Sequence, residues 1–280
     1  MTTAFVLSGG GNLGAVQAGM LRALVREGIR PDFVVGTSVG SVNGAWLASH
    51  DLDFGVDGLI DIWVRMRRSD AFPAELIGGL RGFLGRRDHL VSSAGLRRIL
   101  RTEVPARRFE ELRLRLHVVA TDIRTGHDVL LSDGDLADAV CASSAIPGVF
   151  PMVEIGGRQL VDGGVVNNCP ISQALALGAT TIYVLPCGYA CSLAAAPKGA
   201  LGTVLQAVSL LVQNRLLVDY ERYRTQTDLR MLPTVCPLNV GPTDFTQARR
   251  LVDDADELVQ SWLQDPSIGQ RPGLHHHNMG

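Results

Sequence analysis

Three short segments carry residues whose types and spacing suit acyl chemistry. Gly36-Thr37-Ser38-Val39-Gly40 is a G-x-S-x-G run. Between a strand and a helix, such a run makes a sharp turn that lifts the serine hydroxyl above the sheet edge, with Gly36 and Gly40 relieving the crowding. The N-terminus of the following helix favours a developing anion. Ser38 could equally be a plain helix N-cap, a role that serine fills well. Gly9-Gly10-Gly11-Asn12-Leu13-Gly14 can turn several backbone N–H groups toward one point, as an oxyanion hole requires. Gly9, Gly11 and Gly14 also fit G-x-G-x-x-G. A dinucleotide site needs an acidic residue at the end of the second strand, where Gly36-Thr37-Ser38 stands instead; Asp32 precedes that strand. The third segment, Asp162-Gly163-Gly164, follows an apolar run, which predicts its carboxylate at the same carboxyl edge as Ser38. An ordinary Asp-Gly turn is the alternative.

A serine nucleophile usually takes a histidine as base, and in α/β-hydrolases that histidine comes late in the chain. Here the candidates His50, His89, His117 and His127 are followed by none until His275. Asp162 is therefore the better base: it would take the Ser38 proton on acylation and then activate water. Cys141, Cys169, Cys187, Cys191 and Cys236 are odd in number and lack a second Cys/His pair at zinc spacing, so free thiols and no metal site are expected.

Taken together, these segments resemble the patatin-like phospholipase family. The likeness rests on the ordered set of the glycine loop, Gly36-Thr37-Ser38-Val39-Gly40, Ser144-Ala145-Ile146-Pro147-Gly148-Val149-Phe150-Pro151, and Asp162-Gly163-Gly164 followed by Asn168 and Pro170. It covers roughly residues 4–185. The resemblance implies a three-layer α/β/α fold with a central, mostly parallel sheet. It also implies hydrolysis of lipid esters by a Ser–Asp dyad without metal or cofactor. Carried onto this sequence, Ser38 is the nucleophile, Asp162 the base, and the N–H groups of Gly10, Gly11 and Asn12 the oxyanion donors. The family often has a basic residue where this chain has Leu13, a departure that bears on rate or substrate preference. Acyl transfer or thioester cleavage through the same acyl-Ser38 remains an alternative, as does a lipid-binding protein without turnover.

The elements that must position these groups are legible as alternating strand and helix. Residues 4–7 read as a strand and 13–25 as a helix ended by Gly28; 33–35 is a buried strand and the stretch after Ser38 a helix. This β-α-β-α order implies parallel strands with helices on both faces. Strands are expected at 114–120, 129–131, up to 160–161 and at 181–185. Helices are expected at 135–143, 171–177, 201–226 and 244–264. Residues 55–105 read as a helical cap without a clear strand. The chain of 280 residues is treated as one domain over 1–268 with a tail at 269–280. Its aromatic fraction of 5% within 46% hydrophobic residues means aliphatic side chains and Ala fill the core. A net charge of −2 predicts no nucleic-acid footprint. With no spanning segment, a cytoplasmic protein is expected, peripheral to the membrane where 72–87 meets lipid. That stretch places Pro73, Leu76, Ile77, Leu80, Phe83 and Leu84 on one helical face beside Arg81, Arg86 and Arg87, so it suits a lid or a lipid contact. A surface helix packed on the sheet is the plainer reading of it. The sequence assigns no oligomeric state.

Overall fold

The computed structural model describes residues 1–71, 89–188, 199–236, 240 and 244–267. A strand β1 (Thr3–Leu7) leads through a 3-10 turn at Gly11–Leu13 into helix α1 (Gly14–Arg26). Strand β2 (Phe33–Thr37) leads directly into α2 (Val39–Ser49), followed by α3 (Leu52–Arg65), the short α4 (Arg68–Ala71) and α5 (Ala94–Glu103). Then come β3 (Arg115–Asp122), β4 (Asp128–Leu131), α6 (Leu136–Ser143), β5 (Val153–Ile155) and β6 (Arg158–Asp162). The chain continues with α7 (Gly164–Asn167), α8 (Ile171–Ala176), β7 (Thr181–Leu185), α9 (Gly199–Tyr223), β8 (Asp228–Met231) and α10 (Ala248–Gln264).

All eight strands form one mixed sheet whose pairings run β5-β6-β3-β2-β1-β7-β8, with β4 also paired to β3. The β3-β2-β1-β7-β8 portion is parallel; β4 and β6 run antiparallel to β3, and β5 antiparallel to β6. β1 is central, and Ala4, Phe5, Val6 and Leu7 are all fully buried because helices cover both faces. Their side chains divide between two clusters, Phe5 and Leu7 on the face of α1, α2 and α10, Ala4 and Val6 on the face of α8 and the end of α9. The most extensive helix pairing is α1 on α10. A methyl on Gly19 would sit 2.1 Å from the Val252 carbonyl oxygen, so glycine sets the approach. Arg22 and Arg26 then close on the buried Asp256 at 2.8 and 2.9 Å.

One detail of register decides where the chemistry lies. Val118 and Val119 of β3 pair with both β2 and β4, while Ala120 and Thr121 pair with both β6 and β4. A strand has only two edges, so β2 and β6 share the same edge of β3. They approach from opposite directions and meet end to end: Thr37 stands opposite Val119 and Asp162 opposite Ala120. The residue after Thr37 is Ser38.

Two outcomes depart from the sequence reading. Strands β5 and β8 arise where no strand is expected, because each is short and only partly buried, with little apolar pattern to announce it. Cys236 is disulfide-bonded, whereas Cys141, Cys169 and Cys187 are free and buried. Odd cysteine count and spacing do not reveal which chain segments the fold brings together. No helix among the described residues is long and apolar enough to cross a membrane. The candidate lid at 72–87 and the tail at 269–280 lie outside the described residues.

Candidate active site

Ser38 occupies the single residue between β2 and α2, with φ 53° and ψ −125°. It is the only non-glycine with positive φ among the described residues. Such a conformation costs on the order of 1–3 kcal/mol and persists where the surroundings over-determine it. The surroundings do so here. A methyl on Gly36 would lie 2.5 Å from the Gly40 carbonyl oxygen, and one on Gly40 would lie 2.2 Å from that of Leu7. The Ser38 N–H donates to Ser143 Oγ at 2.8 Å, and Ser143 Oγ donates in turn to the Val119 carbonyl at 2.6 Å. The Ser38 carbonyl accepts from Ser41 Oγ at 2.6 Å and Ser41 N at 2.8 Å.

The Ser38 hydroxyl makes no cap bond to its helix. It donates instead to Asp162 Oδ2 at 2.7 Å. The other carboxylate oxygen, Oδ1, accepts from Gly164 N at 2.7 Å, and the Asp162 backbone is fixed by Ala145 O and by Thr121 Oγ1. Gly163 permits this: a methyl there would stand 2.2 Å from the Val119 carbonyl oxygen and 2.9 Å from Thr37 Cγ2, at the abutment of β2 and β6. Asp162 is 6% exposed. Burial pushes its carboxyl up to about 6, and the bonds from Ser38 and Gly164 hold it from rising further.

The glycine loop lies on the opposite side of Ser38 from Asp162's anchor on β3. Gly9 N donates to the Asn168 carbonyl at 3.0 Å, which ties the loop to the segment just after Asp162. Gly9 and Gly10 have no room for side chains: methyls there would meet Asn168 Oδ1 at 2.3 Å and Cys187 Cβ at 2.3 Å. Gly11 has φ +60°, and the 3-10 turn starts at this residue. The first N–H groups of such a turn have no acceptor within it, so those of Gly10 and Gly11 are suited to a ligand anion. Asn12 directs its Nδ2 to the Asp244 carbonyl at 2.8 Å, which anchors the turn to the segment before α10. Gly14 is a packing residue, since a methyl would press on Trp63 and Val39. Leu13 is partly buried against the core.

The described bonds of His50, His117 and His127 lie away from Ser38. His50 stacks on Trp46 and bonds its carbonyl, His117 bonds Ser132 Oγ, and the carbonyl of His127 closes the β3–β4 turn. Ser143 was not foreseen as a supporting group. Its only sequence signal is the Ser143-Ser144 pair at a predicted helix end, which is indistinguishable from a cap. An apolar cavity of about 120 Å³ opens over Ser38. Val39, Val42 and Trp46 of α2, Leu59, Ile62 and Trp63 of α3, and Leu96, Ile99 and Leu100 of α5 line it, with Gly11 and Asn12 at its Ser38 end. Trp63 is locked by its Nε1 bond to Asn43 Oδ1 at 2.9 Å. Helices α3 and α5 thus form the side of this cavity away from the sheet.

The family model described as patatin-like phospholipase matches residues 5–175. Human patatin-like phospholipase domain-containing protein 6 is 30% identical over 190 residues, covering 67% of this chain and 13% of that protein. Lysophospholipase NTE1 of Candida glabrata is 28% identical over 184 residues, covering 65% of this chain and 10% of that protein. The chain thus spans a small part of these relatives. Among solved structures, VipD from Legionella pneumophila superposes with a TM-score of 0.50 at 16% identity, covering 94% of this chain and 66% of that one. That likeness concerns the fold.

Proposed function

The chain belongs to the patatin-like phospholipase family, and on that premise we propose that it hydrolyses carboxylic esters of lipids, as phospholipases A and lysophospholipases do, through an acyl-Ser38 intermediate. The observation that carries this is the 2.7 Å bond from Ser38 Oγ to Asp162 Oδ2 at the base of an apolar cavity. The cavity takes the acyl chain and presents its carbonyl to Ser38. Asp162 accepts the hydroxyl proton as Ser38 Oγ bonds to the carbonyl carbon. The resulting oxyanion takes hydrogen bonds from the N–H groups of Gly10, Gly11 and Asn12, the kind of donor set whose members are each worth about 10²–10³ in rate. Asp162 returns the proton to the leaving alcohol. It next takes one from water, whose attack frees the fatty acid and restores Ser38. A carboxyl at about 6 is ionised at neutral pH yet basic enough to accept a proton.

The test is a panel of phospholipid, lysophospholipid, triglyceride and p-nitrophenyl esters, with fluorophosphonate labelling of the wild type and of Ser38→Ala. The expected result is labelling that Ser38→Ala abolishes, with release of free fatty acid from one or more lipids. Labelling that survives in Ser38→Ala, or an unlabelled wild type with no ester turnover, would refute the assignment. Release to an added alcohol or thiol in preference to water would mark the acyltransferase alternative.

A further inference from the structure

Helix α9 is built unlike the rest of the fold. Its 25 residues span about 37 Å, whereas the five residues of the neighbouring β7 span roughly 17 Å. The direction of the overhang is fixed by the strands on either side. The chain leaves β7 at Leu185, beside Leu7 on the carboxyl edge. After α9 it enters β8 at Asp228, opposite Thr181 on the amino edge. Only the last part of α9 packs on the sheet, where Leu216 is buried with Tyr220 and Tyr223 against the cluster around Ile171 and Ile182. The first part therefore projects past the carboxyl edge, the edge at which Ser38 stands.

That projecting part is apolar in the wrong place for a solvated helix. Residues 199–214 contain no charged side chain. Val204, Val208 and Leu211 follow a 4-3 spacing on one face, and are 57%, 50% and 69% exposed. Val218 continues the stripe at 61%, and Leu210 flanks it at 46%. Gln206, Ser209 and Gln213 fall on the other side of the helix. Arg215 and Arg222 extend the apolar stripe toward the amino edge; Arg215 is half exposed while its Nε donates to the buried Asp219 Oδ2 at 2.7 Å, and the face passes from hydrocarbon-like to polar as it nears the sheet.

We infer that this half of α9 is the element with which the protein docks on a lipid surface, Val204, Val208, Leu210 and Leu211 entering the acyl region and Arg215 lying at the level of the phosphates. Three observations favour lipid over a second copy of the chain. The five exposed apolar side chains offer on the order of 450 Å², about half of the ~800 Å² per partner that a stable dimer buries. The stripe ends in arginines, which would face their own kind across a parallel pair. The projecting part rises about 25 Å, too short to cross a ~30 Å hydrocarbon core but suited to an interfacial helix. Docking there would bring the carboxyl edge, and the Ser38 cavity with it, toward the bilayer. The inference shares with the proposed activity only the premise of a lipid aggregate as substrate.

The experiment is flotation of the full chain with phosphatidylcholine vesicles, with and without phosphatidylglycerol, using wild type, Ser38→Ala and the double variant Val208→Glu/Leu211→Glu. Wild type and Ser38→Ala float alike, strengthened by the anionic lipid; the double variant binds about tenfold more weakly or worse. Its turnover of a soluble p-nitrophenyl ester stays at the wild-type level. Because binding is read without turnover, failure of the hydrolase assignment leaves this result intact. Equal flotation of the double variant, or absence of wild-type flotation, overturns the inference. So does sedimentation equilibrium showing a wild-type dimer that the double variant dissolves. Should the double variant lose soluble-ester turnover, Val204→Gln/Val218→Gln decides by the same readouts.

Discussion

Replacing Asp162 by Asn should remove activity and raise stability together. The carboxyl moves from an ordinary 3.8 to about 6 on folding because it is buried at the junction of β2 and β6. Below pH 3.8 both the folded and unfolded chains hold the proton, and the group contributes nothing. Between 3.8 and 6 the unfolded chain releases a proton that the folded chain keeps. Stability of the wild type therefore falls as pH rises, by about 1.4 kcal/mol per unit. Above 6 both forms are ionised and the penalty levels off at about 3 kcal/mol. Asn does not titrate, yet its amide oxygen can still accept from Gly164 N. The gain of Asp162→Asn over wild type should thus grow with pH, about half of it being present at pH 5 and all of it above pH 7. Urea unfolding of both proteins at pH 5, 6 and 8 measures this directly. For a chain of this size the plateau corresponds to a rise in Tm of about 6 °C. Turnover of a soluble ester should fall by about 10²–10⁴, the usual worth of a general base. Undiminished turnover would refute the base assignment. A stability difference that is constant with pH would refute the raised carboxyl, even if activity were lost.

Three further outcomes follow from the same geometry. For wild type, kcat/KM should fall about tenfold per pH unit below about 6 and be level above it, since Asp162 must be ionised to accept the Ser38 proton; a limb near 7 that vanishes on replacing a histidine would contradict this. Gly10→Ala should drive the glycine loop off Cys187, whose Cβ lies 2.3 Å from the added methyl, and cut turnover by about tenfold or more. Adding Cys187→Gly should restore much of that loss, and absence of rescue would show that steric pressure at this point is not the cause. Ile99→Phe, which narrows the cavity between α3 and α5, should reduce turnover of long-chain p-nitrophenyl esters while sparing the acetate and butyrate. A uniform loss across chain lengths would place the acyl chain elsewhere.

The local chemistry was written in the sequence because its causes are local. A serine between two glycines at the end of an apolar run dictates a tight strand-to-helix turn, and Ser38 adopts a conformation that only a crowded turn enforces. The early alternation of apolar strand and amphipathic helix likewise announces a buried parallel core. The want of a histidine between His127 and His275, a negative fact of the sequence, points to Asp162.

What the sequence could not contain is the meeting itself. The expectation placed Asp162 at the carboxyl edge as if its strand ran with the others; β6 in fact runs against β3 and reaches Ser38 head-on along the edge β2 has left free. Strand direction depends on which edge is vacant, a property of the assembled sheet. Ser143 as the prop of the Ser38 amide, the Cys187 wall behind Gly10 and the cavity between α3 and α5 are likewise long-range contacts, joined by no periodicity or spacing along the chain. Residue types and short spacing determined which groups could react. Only the tertiary structure, by abutting two strands that approach from opposite directions, decided that Ser38 and Asp162 stand 2.7 Å apart.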